Sequence, residues 1–355
     1  MERLLEDLFG FSHAVLFGRA RSALVTLLES VGAHGRFPVL LPSNICPAVL
    51  TAIYGAGANP RLVPVSPHNG LPPDEMLARE VLTNGVGGVV MITHLYGFWQ
   101  PYPLTRAAAA AQGWFILEND SLAVTARIDA SAGRTAFGDA LLVSFGYAKT
   151  LEIGAGGAIL TDDPALAREL YQRVGHFPPL NEAAITAEVK FNELRRRYRQ
   201  LPQTMPGLAE ALLPAEMKEL RYAFPAQYAD RLISSIGHMA DIVCRRRERA
   251  ACWEQELKRL GEAIIVPDIA PVIPWRVIRR VPLNRDHLVD KLRTNGFDAG
   301  TNFPPLTDTY PNLLRDQRHP DAEQWGNEVI NLWVSDDYDD DRIKRAVAVM
   351  EQCYD

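Results

Sequence analysis

The feature that most restricts the fold of this chain is the alternation of short apolar runs with helical stretches through about residue 165. FPVLLPS, NPRLVPV, VGGVVMITH, GWFILEN, DALLVSF and GGAILTDD each read as a buried strand. Between them, RSALVTLLESVGAHG, CPAVLTAIYGAG and PLTRAAAAAQG carry apolar residues at helical spacing, and each ends near a glycine suited to capping it. Strand followed by helix at this regularity predicts an α/β fold, a mostly parallel sheet sandwiched by helices. Ligands in such folds sit at the carboxyl ends of the strands, so the residues just after each apolar run are the candidates for chemistry.

Beyond about residue 165 the pattern changes to long helices: PALARELYQRVG, AITAEVKFNELRRRYRQ, and a stretch from about Tyr228 to Leu260. AIIVPDI, PWRVIRRVPL, DHLVDKLRTNG, NEVINLWV and DDDRIKRAVAVMEQC then suggest a smaller α+β unit. The expected division is a large domain over residues 1–227, followed over 228–355 by a long connecting helix and a small C-terminal domain. The DDYDDD run is read as the solvated start of the last helix, where carboxylates suit the positive end of the dipole.

With 355 residues the chain can bury the core of an ordinary enzyme. A net charge of −6 argues against binding nucleic acid by neutralising phosphates. The triplets Arg195 to Arg197 and Arg245 to Arg247 lie in Glu-rich helical patterns and are read as solvated faces. The start, MERLLEDLFG, lacks a signal peptide's apolar core, and no apolar segment is long enough to span a bilayer, so a cytoplasmic protein without membrane contact is expected. Cys46, Cys244, Cys252 and Cys353 show no CxxC pairing or accompanying histidine spacing, so neither a metal site nor a disulfide framework is expected.

One residue stands out in SFGYAKTLEIGAGGAILTDD. The chain has only six lysines, and Lys149 is the sole one before Lys190. Arginine keeps its proton at any useful pH, whereas a lysine that is buried or close to a cation can become a neutral amine and attack a carbonyl. An ordinary surface lysine is the plain alternative.

Five stretches in order, FGRARSAL, LPSNICPAVLTAIYGAGANPRLVPV, THLYGF, FILENDSLA and FGDALLVSFGYAKTLEIGAGGAILTDD, resemble the DegT/DnrJ/StrS family of sugar aminotransferases. These belong to the aspartate-aminotransferase-like class of pyridoxal 5′-phosphate enzymes. The likeness runs from about residue 10 to the C-terminus, with a poorly matching insertion near 180 to 225. It implies that Lys149 bonds covalently to the cofactor aldehyde as the Schiff-base lysine and later moves a proton. It implies that Ser144 hydrogen-bonds the cofactor phosphate. The start of the helix RSALVTLLES, with Ala20 and Arg21 in place of the family's Gly-Thr pair, would supply backbone donors to the same phosphate, and Arg21 adds charge.

The sequence departs from the family pattern at several positions. Where the family has an Asp paired to the pyridine nitrogen, the gapless match places Asn119, with Asp120 one residue later; the choice between them stays open, with Asn119 favoured. A carboxylate there keeps the nitrogen protonated and makes the ring an electron sink. Leu122 falls where a Gln or His contacts the cofactor hydroxyl. Cys46 replaces the aromatic that stacks on the ring, and a buried core cysteine is its alternative reading. Ala226, with Gln227 beside it, stands where the family's asparagine reaches in from the neighbouring subunit. His94 aligns with a strand-end His; Asn302 and Phe303 align with substrate contacts that are commonly His and Tyr, and Thr307 replaces a His.

The resemblance implies transfer of an amino group, with glutamate as donor, to the keto carbon of a small-molecule, nucleotide-linked sugar in polysaccharide or secondary-metabolite sugar biosynthesis. It implies a homodimer with shared active sites. Another pyridoxal phosphate reaction, such as sugar dehydration or amino-acid chemistry, and a non-catalytic descendant acting as a binding module are the competing readings. Retention of Lys149 argues against the second.

Overall fold

The computed structural model describes residues 1–122, 138–200 and 207–354, apart from the side chains of 188, 191–192 and 195–200. The reading of Arg195 to Arg197 as a solvated face therefore lies outside the described residues.

Seven strands, β1 (His13–Phe17), β2 (Pro38–Pro42), β3 (Asn59–Val63), β4 (Val89–Thr93), β5 (Phe115–Asn119), β6 (Ala140–Ser144) and β7 (Gly157–Thr161), form one sheet in the order β1-β7-β6-β5-β4-β2-β3. The pairs from β3 across to β6 are parallel, and β7 runs antiparallel to both β6 and β1. All five residues of β4, β6 and β7 are buried, as expected for strands covered on both faces. A second sheet is antiparallel, β8 (Val277–Arg280), β9 (Ala299–Gly300) and β10 (Val329–Leu332) in the order β8-β10-β9. It has its own core, in which Trp253, Leu292, Ile330, Ile343 and Val347 pack together.

The six apolar runs of the large sheet become β2 to β7. Strand β1 (HAVLF) was not anticipated, because it is a single short run of five residues at the edge of the sheet. Nor was the helix Asp74–Thr83, whose charged composition hides a buried face of Leu77, Ala78 and Val81. The stretch expected as a continuous connection from Tyr228 to Leu260 divides into Ala229–Gly237 and Met239–Leu257, the break falling at His238 after Gly237. AIIVPDI makes no named strand; Ile265 forms a single bridge to Arg280 before Pro267 stops the pairing. The final helix, Asp340–Glu351, starts as expected, with Asp339 Oδ1 accepting from Arg342 N at 2.8 Å.

The second arginine triplet corrects the solvated-face reading. Arg245 pairs with the exposed Asp336. Arg246 turns inward, Nη1 donating to the carbonyls of Trp275 (3.0 Å) and Pro274 (3.4 Å) and Nη2 to that of Lys149 (3.3 Å). The carbonyls at the mouth of an irregular loop need donors, and a long guanidinium arm supplies several at once. The four cysteines are free. Among the described residues no helix is long and apolar enough to cross a membrane.

Candidate active site

The sheet register decides where the candidate residues meet. Thr93 at the end of β4 pairs with Asn119 at the end of β5, and Asn119 pairs with Leu142, so Ser144 lies two residues further along β6 at the same carboxyl edge. Ser144 is opposite Gly157 of β7, and Gly157 is opposite Phe17 of β1. The chain leaves β1 through Gly18 and Arg19 and turns into the helix Ala20–Ser30. Residues far apart in sequence are thereby brought to one edge of the sheet.

Gly157 sets how close the helix comes. A Cβ at this position would lie 2.5 Å from both N and Cα of Ala20, so only glycine lets the helix start rest on the strand. The free N–H groups of the first turn then face the same space as Ser144 Oγ, whose own contact is a 3.5 Å bond from Gly146 N. The helix is anchored by seven successive buried residues, Ser22 to Leu28, which cover it on all sides.

Lys149 sits in the loop that carries the chain from β6 to β7. Phe145 N bonds to Gly156 O, Ile153 N to Phe145 O and Gly156 N to Gly18 O, closing this loop over the strand ends. Ala148 adopts a left-handed conformation (φ 58°), with its N–H on Glu152 Oε2 at 2.8 Å and its carbonyl accepting from Trp275 Nε1 at 2.6 Å. Arg246 holds the carbonyl of Lys149. The amine is thus presented by a backbone fixed from both sides. Burial pushes its pKa below the ordinary lysine value; the Arg276 guanidinium pushes the same way, against an opposing pull from Cys46 and Glu152.

A cavity of about 420 Å³ lies at this edge. Its walls include Ala20, Arg21, Cys46, His94, Asn119, Ser144, Lys149 and Phe303 from the sequence reading, along with Leu122. Asp120 does not line it: the residue is 1 % exposed, with its backbone N–H on Leu142 O, and lies outside the cavity wall. Asn302 does not line it either; its N–H and C=O are both bonded to the Asn331 side chain. Thr307 is buried away from the cavity, and Ala226 and Gln227 are exposed. Cys46 is half-buried at the N-cap of the helix Pro47–Gly55, where it both lines the cavity and packs against the main core.

His94 is held by the buried Glu118, its Nε2 2.9 Å from Oε2, and its ring stacks on Trp99 at 6.4 Å. Arg106 and Gly138 N complete the carboxylate's contacts. Burial alone would raise the Glu118 pKa, but the bonds and charges of His94 and Arg106 outweigh it and hold the carboxyl below its ordinary value. With Nε2 toward the carboxylate, His94 Nδ1 is a buried atom without a partner among the described residues.

Several contributors escaped the sequence reading. Arg19 lines the cavity with its guanidinium 5.4 Å from the Tyr222 ring and Nη2 on Ala184 O at 2.8 Å. Ile185 and Val189 of the helix Glu182–Gln200 wall the mouth. Trp275 stacks on Phe303 (6.2 Å, 11° between planes), and Arg276 is wedged between Trp275 and Trp333, with its pKa pushed down by burial to about 9. No local motif marks these residues, since more than 100 positions separate Trp275 from Lys149.

A phosphate-bearing cofactor fits these walls. The glycine cradle and helix start offer backbone donors, Ser144 offers a hydroxyl, and Arg19 and Arg21 supply positive charge. An amine opens on the same cavity at the distance of one loop. A seven-stranded sheet with a lysine beyond one strand and an anion cradle beside it defines a pyridoxal 5′-phosphate-dependent transferase of the aspartate-aminotransferase type. The chain belongs to the DegT/DnrJ/EryC1/StrS aminotransferase family, whose model matches residues 1–191 and 225–351. The unmatched stretch, 192–224, falls within the insertion expected near 180 to 225.

The chain is 27% identical over 334 residues to the erythromycin biosynthesis sensory transduction protein EryC1 of Saccharopolyspora erythraea, covering 90% of this chain and 80% of that one. It is 25% identical over 331 residues to the dTDP-3-amino-3,4,6-trideoxy-alpha-D-glucose transaminase of Streptomyces venezuelae, covering 90% and 77%. Among solved structures it superposes on DesI, crystallised in the presence of its TDP-sugar product, with a TM-score of 0.76 and 22% identity, covering 99% of this chain and 83% of that one. The fold expected from the sequence is the fold observed.

Proposed function

We propose that this chain is a pyridoxal phosphate-dependent aminotransferase that delivers an amino group, taken from glutamate, to the keto carbon of a nucleotide-linked sugar. The observation that carries the reading is that the Lys149 amine opens on the same cavity as Ser144 and the start of the helix at Ala20, so one ligand can meet all three. Bound there, the cofactor supplies an electrophilic aldehyde conjugated to an electron-accepting ring. Ser144, Arg21 and the first-turn N–H groups hold its phosphate and fix the ring's position. Lys149 Nζ, its pKa lowered by burial, would take a proton from the substrate carbon and return one on the cofactor side. Leu122, Phe303 and Leu95 on the walls exclude water from that transfer.

The sugar comes from the relatives: the Streptomyces venezuelae enzyme is named for a dTDP-linked amino sugar. The remaining parts of the reading are a large unit over 1–227 with a smaller one over 228–355, a homodimer and a cytoplasmic setting. Tyr147 (77 % exposed) and Val189 (61 % exposed) on the cavity rim support the homodimer, because a second copy covering them would complete the walls. A second reading, dehydration or amino-acid chemistry with the same cofactor, draws support from Asn119 at the place of the usual carboxylate.

Two measurements test the proposal. Addition of pyridoxal phosphate to the purified chain gives a visible absorption band that Lys149→Ala lacks; a native chain that stays colourless sinks the cofactor reading. Addition of L-glutamate then converts the loaded protein to the pyridoxamine form, and no conversion would rule out that donor and favour the second reading.

A further inference from the structure

Among the described residues that wall the cavity there is no aspartate or glutamate; the titratable groups facing it are Arg19, Arg21, His94, Lys149, Cys46 and Tyr147. The two carboxylates that flank Asn119 in sequence are both withdrawn. Successive side chains of a strand point to opposite faces, which takes Glu118 and Asp120 off the face that Asn119 presents. Glu118 is committed to His94, Arg106 and Gly138 N, and Asp120 is buried outside the wall.

The amide of Asn119 has a fixed sense. Ser121 N bonds to its Oδ1 at 3.3 Å, and a backbone N–H can face only an oxygen. Its Nδ2 has the thioether of Met91 at 4.0 Å, a weak acceptor, so an N–H remains for a ligand in the cavity. Such a donor can pair with a pyridine nitrogen only where that nitrogen keeps its lone pair.

We infer that Asn119 donates from Nδ2 to the ring nitrogen of the bound cofactor and holds that nitrogen unprotonated. The inference rests on the proposed cofactor reading. The cationic walls act in the same direction, because Arg19 and Arg21 oppose a further positive charge. An uncharged ring takes up the electron pair of a broken C–H bond less readily than a pyridinium, so the chain leans more on Lys149 for proton transfer and favours substrates whose own keto group shares the charge.

The test uses the full-length protein loaded with pyridoxal phosphate labelled with nitrogen-15 in the ring. The expected nitrogen resonance of the native holoenzyme lies in the range of an unprotonated pyridine, and in Asn119→Asp it moves into the pyridinium range. In the same variant the single-turnover rate with L-glutamate rises about tenfold or more, the factor that about 1.4 kcal/mol of barrier represents. A pyridinium resonance in the native holoenzyme overturns the inference while leaving the cofactor reading intact. An unprotonated resonance persisting in Asn119→Asp removes residue 119 from the role. Failure to form the visible band at all overturns the cofactor reading itself.

Discussion

The indole Nε1 of Trp275 donates a 2.6 Å hydrogen bond to the carbonyl of Ala148, the residue before Lys149. The backbone of Lys149 is therefore set by a residue just before the second sheet, with Arg246 holding the next carbonyl. Trp275→Phe keeps the stacking on Phe303 and removes only this bond. Urea unfolding of the variant is expected to show a loss of about 1 kcal/mol. Unchanged stability together with unchanged cofactor affinity would show that the loop holds its shape without the indole.

Arg21 faces the cavity at the first turn of the helix Ala20–Ser30 and carries charge, whereas the backbone donors beside it do not. Arg21→Ala is expected to weaken pyridoxal phosphate binding by 1.5–3 kcal/mol, roughly 10- to 100-fold. Binding of pyridoxal without the phosphate should be unaffected. Parallel titrations with the two compounds decide it: equal losses would move Arg21 away from the phosphate.

Gly157 leaves no room for a methyl group against Ala20. Gly157→Ala must push the helix start off the strand, at about 1–3 kcal/mol of overpacking. Thermal unfolding of the cofactor-free protein reads the stability loss, and a titration reads the accompanying loss of phosphate affinity. A fully stable variant with native affinity would contradict the close approach.

Glu118 is 1 % exposed and depends on Arg106 and His94. Arg106→Met leaves the carboxylate with His94 and Gly138 N alone, and the expected loss at neutral pH is about 3 kcal/mol, the lower end for breaking a buried pair. Its folded pKa is depressed, so the pair's contribution is present above the unfolded value and disappears as pH falls through the folded one. Unfolding curves of native and variant protein should therefore converge in acid. A deficit independent of pH would mean that lost packing, not charge, is responsible.

Lys149 has the opposite linkage. Its folded pKa lies below the ordinary lysine value of 10.5, so the unfolded chain binds the extra proton and the cofactor-free protein gains stability as pH rises from the folded value toward 10.5. Lys149→Met removes the buried amine and is expected to stabilise the cofactor-free chain at neutral pH, with the advantage shrinking as pH approaches 10.5. Denaturant midpoints across that window check it; a constant offset would place the amine in water.

The sequence by itself determined six of the seven strands of the large sheet and the edge at which to look for a site. Six uninterrupted apolar runs separated by helical spacing can bury themselves only as a covered, mostly parallel sheet, and such sheets put ligands at their strand ends. Lys149 stood out because lysine is scarce in this chain, and Ser144 was placed by the family resemblance. The tertiary structure alone decided which of Asn119 and Asp120 faces the cavity, since a one-residue step along a strand reverses a side chain and only the pairing of Asn119 with Thr93 and Leu142 fixes the phase. It alone brought Arg19, Arg246, Trp275 and Arg276 to the lysine and turned the middle arginine of an apparently solvated triplet inward. Arg246, Trp275 and Arg276 lie 97 to 127 positions from Lys149, and no local propensity encodes a partner at that distance; packing of the helix Met239–Leu257 and of the segment before β8 against the lysine loop does.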